Sequence, residues 1–321
     1  MLALPPLLMA GACSDKKQSL TGMANELAKT SLANDYPRIP TDELVREVNG
    51  NSLYAELKDR YSQSLSALKN EAAVDHAKII VVVMTPEVGK FTSAANTAGI
   101  PFILETCTNM GVDFVDFTPD ISEWMESDPK HAPLEGNFTK QGTAFMADLL
   151  GSVITKYDEY RSPKIFPAGE KPETFGDLVQ KKDEVLDGEK NIPYRLTVNA
   201  QGLRMNHNIT FPKRKQTILF LGDSKIFNPY VDNDDITTEL LQKRYPDKEI
   251  VNAGNLQYTM EDYYSLYLEK ARFVEPDLIV VCTNGGDVLD NFFSQRNRYS
   301  RAGKSYKPSP LEKKFYQQMS K

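Results

Sequence analysis

Apolar positions along this chain follow two rhythms. From residue 53 they return at helical spacing, Leu53, Leu57, Tyr61, Leu65 and Leu68, which predicts a surface helix. They then run together in Lys78-Ile79-Ile80-Val81-Val82-Val83-Met84, ended by Thr85-Pro86, the pattern of a strand covered on both faces. Residues 100–110 predict a helix entered through Pro101, 112–117 a strand stopped near Pro119, and 144–157 an amphipathic helix. After a stretch at 160–193 rich in Pro, Gly, Lys and Glu, Thr217-Ile218-Leu219-Phe220-Leu221 reads as a strand running into Gly222-Asp223-Ser224. A helix at 236–244, capped by Asp235, leads to a strand at 249–252 that ends in Ala253-Gly254. A helix over 260–273 and Pro276 precede the strand Asp277-Leu278-Ile279-Val280-Val281-Cys282.

Alternating helices and doubly covered strands predict an α/β fold, a doubly wound parallel sheet with helices on both faces. Ligands of such sheets bind beyond the carboxyl ends of the strands, where the unusual residues of this chain stand. The 321 residues, 40% hydrophobic and 26% charged, can bury one large core or two modest ones. A net charge of −6 gives no attraction to a polyanion, so nucleic acid is not expected as a partner.

The first 13 residues change the picture of where the protein works. Met1 to Ala12 is apolar, too short to span a bilayer, and closes on small residues before Cys13 and the polar Ser14-Asp15-Lys16-Lys17. This resembles the leader of a bacterial lipoprotein, which implies export and acylation at Cys13, with membrane contact only through that lipid. The competing reading is a ragged apolar start with an ordinary cysteine. Cys107 and Cys282 lie in apolar surroundings and are expected to be buried free thiols.

The chemistry gathers at three strand ends. Ser224 follows an apolar strand directly, a placement that suits a nucleophile, although Gly-Asp-Ser alone is also an ordinary polar turn. Asn252-Ala253-Gly254 and Thr283-Asn284-Gly285-Gly286-Asp287-Val288-Leu289-Asp290-Asn291 close the next two strands. Together with the lead-in Tyr194 to Arg204, residues 193–291 resemble the SGNH/GDSL hydrolase family. The resemblance implies a flavodoxin-like three-layer fold, a serine that attacks an ester carbonyl, and oxyanion donors from Ser224 N–H, Gly254 N–H and an Asn side chain. The Asn is displaced here: Gly286 stands in its place and Asn284 lies two residues earlier, more than about 6 Å along an extended strand.

The family's catalytic acid and base follow its last strand, and they are absent after Asn291. Residues 74–157 instead resemble that second half, which implies one domain in circularly permuted order; two half-domains completed by exchange between chains is the alternative. For the base, one alignment puts Glu135 and Asn137 where the family has Asp and His, and an amide cannot take the serine's proton. The other uses Asp128 and His131, whose Asp-x-x-His spacing the family also shows, against the plainer reading of His131 as a solvated loop histidine. The expected division is a leader (1–13), a polar segment (14–51), the second half (52–159), a linker (160–193), the first half (194–293) and a tail (294–321). The expected activity is a serine esterase acting on acyl or acetyl esters of carbohydrate or lipid, with no cofactor or metal. The alternative is a catalytically impaired module binding a glycan or a protein.

Overall fold

Strands of this chain form where β-branched residues run together, and the sheet they make is covered on both sides by the amphipathic segments between them. The computed structural model describes residues 52–294 except 87, 89–93, 135, 164–166, 168 and 188–191, together with 313. Residues 1–51, which include Cys13 and the expected leader, and most of the expected tail lie outside the described residues, as does Glu135.

In chain order the elements are helix α1 (Ser52–Val74), strand β1 (Lys78–Val83), helix α2 (Ala94–Met110), strand β2 (Asp113–Asp116), and helices α3 (Thr118–Ser127) and α4 (Lys140–Lys156). A ribbon of β3 (Lys182–Asp187) and β4 (Pro193–Val198) comes next, then β5 (Gln216–Gly222) and the short helix α5 (Ser224–Phe227). Helix α6 (Thr237–Arg244), β6 (Lys248–Asn252), α7 (Met260–Glu269), β7 (Leu278–Thr283) and α8 (Asp287–Asp290) complete the set. Strands β1, β5, β6 and β7 carry the buried runs seen in the sequence. Pro101 lies inside α2 rather than at its entrance, and α3 is a helix that periodicity did not predict. Helix α6 starts without a side-chain cap, because the Asp235 carboxylate pairs with Lys140 at 2.7 Å instead.

Five strands form one parallel sheet in the order β2-β1-β7-β5-β6. Alternate residues of β1, β5, β6 and β7 feed two cores. Val81, Leu219, Val251 and Ile279 pack under α1, α2 and α7, with Tyr61, Ile103 and Tyr263. Ile80, Phe220, Ile250 and Val280 pack under α3, α4 and α6, with Ile121, Leu150 and Leu241. The architecture is therefore three-layer and doubly wound. Cys107 and Cys282 are buried free thiols, one in each core, and burial pushes the Cys107 thiol up to about 12.

Strand β1 pairs with β7 from Lys78↔Leu278 to Val83↔Thr283, so the two halves of the chain share one sheet. All five strands of this sheet come from the one chain. Counted from β5, the order reads 2-1-3-4-5 from the β6 edge, the flavodoxin arrangement, with its topological switch point between β5 and β7. The stretch 160–193 does more than connect: it contributes β3, it buries Phe175, and Gly176 lies so close to Gly202 that an added Cβ would meet that carbonyl oxygen at 2.0 Å.

Candidate active site

Strand β5 ends at Gly222, and the chain turns at once into α5, whose first residue is Ser224. Gly222 is required there: an added Cβ would meet Ile226 Cγ1 at 2.7 Å. Asp223 holds the turn. Its Oδ1 accepts from Lys225 N at 2.8 Å and its Oδ2 accepts from Asn284 Nδ2 at 3.2 Å, which ties the end of β5 to the end of β7. Ser224 is half-buried at the switch point, and neither its hydroxyl nor its N–H has a hydrogen-bond partner among the described residues.

The other two oxyanion donors expected from the sequence are engaged. Gly254 N–H donates to Asn252 Oδ1 at 2.9 Å, a local turn, while Asn252 Nδ2 reaches Ile226 O at 3.1 Å and braces the back of α5. Gly254 itself is fixed by close approach, since an added Cβ would lie 2.7 Å from both Ile226 Cγ2 and Phe227 N. Asn284 Nδ2 donates to Asp287 Oδ1 at 2.6 Å besides Asp223, and Asn284 Oδ1 accepts from Gly286 N at 2.8 Å.

A group of carboxyls that sequence reading did not single out surrounds this turn. Asp287 is buried and accepts from Thr283 Oγ1 at 2.8 Å, Tyr263 Oη at 3.2 Å and Asn284. Burial, then the charges of Asp223 and Asp290, push it well above the usual carboxylate range. Asp290 is raised to about 7 by burial and by Asp223, with Lys225 opposing. The signal lay in the Asp-x-x-Asp spacing after β7, which one helical turn brings to one face. Among the described residues no group of three or more His, Cys, Asp or Glu side chains is arranged to hold a metal ion.

The loop before α4 reaches the same turn, because Lys225 Nζ donates to Gly136 O at 2.7 Å. Leu134 and Asn137 close that loop with paired main-chain hydrogen bonds of 2.9 Å, and Asn137 sits half-buried beside Gly136. His131 lies upstream on a 3-10 turn, its ring stacked on Trp124 at 3.9 Å, and Trp124 stacks in turn on Phe145 at 4.8 Å. His131 Nδ1 lies 2.6 Å from Trp124 O, which fixes the tautomer with Nδ1–H donating and leaves Nε2 as the acceptor. The Asp128 carboxylate accepts from Lys130 N at 2.8 Å, so it caps the turn and Trp124 takes the orienting role expected of it.

His207 Nε2 donates to the Glu249 carboxylate at 2.7 Å, away from these strand ends. Tyr258 is core, its hydroxyl donating to Asp177 at 2.9 Å. The acidic run 232–235 is spent on Arg195 N, Asn206 and Lys140. No helix among the described residues is long and apolar enough to cross a membrane.

No protein-family model and no curated protein sequence matches the chain. Among solved structures, the O-acetyltransferase domain of Pseudomonas putida AlgJ is similar over 79% of this chain and 93% of its own, at 10% identity and a TM-score of 0.47. Pseudomonas aeruginosa AlgX is similar over 83% of this chain and 65% of its own, at 13% identity and a TM-score of 0.37. Bacillus cereus PatB1 is similar over 73% of this chain and 91% of its own, at 9% identity and a TM-score of 0.39.

Proposed function

We propose that this chain is an SGNH-type acyl-ester enzyme, a single domain with its halves in circularly permuted order, in which Ser224 takes the acyl group of a carbohydrate or lipid ester. The observation that carries this reading is Ser224 itself: a hydroxyl with no hydrogen-bond partner among the described residues, on the first residue of α5, at the switch point between β5 and β7. In the reaction Ser224 Oγ attacks the ester carbonyl, His131 Nε2 takes the hydroxyl proton and returns it to the leaving alcohol, and Ser224 N–H faces the oxyanion. Water or a second alcohol then accepts the acyl group, so hydrolysis and transfer share the first half of the chemistry. Asp128 supports His131 only through the main chain, its carbonyl accepting from His131 N at 2.9 Å.

A second reading is favoured by the engaged donors of Gly254 and Asn284 and by Asn137 in the family's histidine position: a module that binds an acylated glycan or a protein without turnover. Serine-directed fluorophosphonate labelling and hydrolysis of an aryl acetate separate the two. The enzyme reading expects labelling at Ser224, loss of both signals in Ser224→Ala, and a drop of about 10²–10⁴ in rate for His131→Ala. Equal rates for the wild type and Ser224→Ala sink it. An inert wild type that gains activity in Asn137→His establishes the binding module.

Export and lipid anchoring belong to the same proposal. They rest on the apolar run before Cys13. Fractionation of cells making Cys13→Ser checks them: release of the protein from the membrane fraction is expected, and unchanged partitioning refutes the anchor.

A further inference from the structure

Ahead of β5 the chain buries Arg204 completely, between the rings of Tyr194 and Phe227 at 5.7 and 4.8 Å. Its hydrogen bonds go to neutral oxygens. Nη1 donates to Phe227 O at 2.5 Å and Asn228 O at 2.8 Å, Nη2 to Val231 O at 2.6 Å, and Nε to Asn233 Oδ1 at 2.8 Å. Burial pulls the guanidinium down to about 10, which leaves it charged at neutral pH.

The residues it grips are those that end the helix of Ser224. Asn228 terminates α5 in the left-handed region, φ 55, with its N–H donating to Ser224 O at 2.8 Å. Asn228 Nδ2 donates to Lys225 O at 2.6 Å, and Asn228 Oδ1 accepts from Thr237 N at 3.0 Å. Asn233 is in turn bonded to both Thr197 N and Thr197 O, at 3.1 and 3.0 Å, so the grip is anchored in β4.

We propose that Arg204 is a positioning residue for Ser224: the guanidinium pins the carbonyls that follow α5, and Asn228, held among them, fixes the turn that carries the hydroxyl. An apolar residue of the same volume would leave three carbonyls at positions 227, 228 and 231 without a donor. Lysine would offer a point charge where a planar fork reaches several oxygens at once. The inference rests on the reading of Ser224 as the acyl acceptor, and it assigns work to the lead-in segment that otherwise only precedes β5.

The test compares Arg204→Lys with Val153→Ala, which trims a buried side chain in the last turn of α4, the end opposite the loop that meets Lys225. Both are assayed at a temperature where circular dichroism shows them fully folded. Expected is a fall of about ten- to a hundredfold in the fluorophosphonate labelling rate of Ser224 for Arg204→Lys and no change for Val153→Ala. Equal labelling of Arg204→Lys and wild type overturns the proposal, and so does an equal slowing by Val153→Ala. If the wild type itself is not labelled, the acyl-acceptor reading has failed, and the grip is then measured by amide hydrogen exchange. Faster exchange at Phe227 and Asn228 in Arg204→Lys alone sustains it, and exchange equal to wild type overturns it.

Discussion

Asp290 shows how a single side chain sets a pH response. Its folded pKa of about 7 stands above the ordinary value of 3.8, so the folded protein holds this proton more tightly than the unfolded chain. Stability from this group is full below about pH 4 and falls as pH rises toward 7. Asp290 is partly exposed, and solvent screening reduces the full effect of three pH units, about 4 kcal/mol, to about 1–2 kcal/mol. Urea unfolding at pH 4 and pH 8 is expected to show wild type losing about that much more than Asp290→Asn. A parallel loss in both proteins refutes the assignment. Gly254 gives a steric counterpart. An added Cβ would press on Phe227 N, which cannot move without α5, so Gly254→Ala is expected to cost about 1–3 kcal/mol and to slow labelling of Ser224. Thermal unfolding beside the labelling assay checks both parts.

At the scale of elements, the β3–β4 ribbon makes the next prediction. Leu186 is buried against Tyr194, Leu196 and Phe227, whereas Val185 points outward and is exposed. Leu186→Ala should cost about 2–4 kcal/mol and Val185→Glu less than about 0.5 kcal/mol, measured by urea unfolding. Similar costs would show the alternation to be misread. This ribbon was not legible in the sequence, because Lys182-Asp183-Glu184 masks it with charge, while β1, β5 and β7 were plain since double cover demands unbroken β-branched runs. Helix α3 was hidden for a related reason: ten residues starting Thr118-Pro119 offer only Ile121, Trp124 and Met125 as a stripe. In the site, the place of Ser224 could be read from the end of a strand. The engagement of Gly254 and Asn284 could not, because it depends on where Asn252 and Asp223 point their side chains, and Asp223 lies 61 residues from Asn284.

At the scale of the whole molecule, the proposed permutation has its own test. Arg60 of α1 donates to Ser294 Oγ at 2.8 Å, so the outer ends of the two halves lie side by side. A rearranged chain that joins residue 294 to residue 52 by a short flexible linker and opens the chain between β3 and β4 should fold to the same sheet, with its melting temperature within about 10 °C of the original order. Failure to recover a cooperative transition would argue against one permuted domain. The strand order also sets a timetable for synthesis. Strand β1 leaves the ribosome 200 residues before β7, the neighbour that must pair with it from Lys78↔Leu278 onward. At about 5–20 residues per second, an apolar strand edge waits roughly 10–40 s for its partner. During that interval the newborn half is a template for wrong pairing, and a holding chaperone should matter more to this chain than to one that starts at β5.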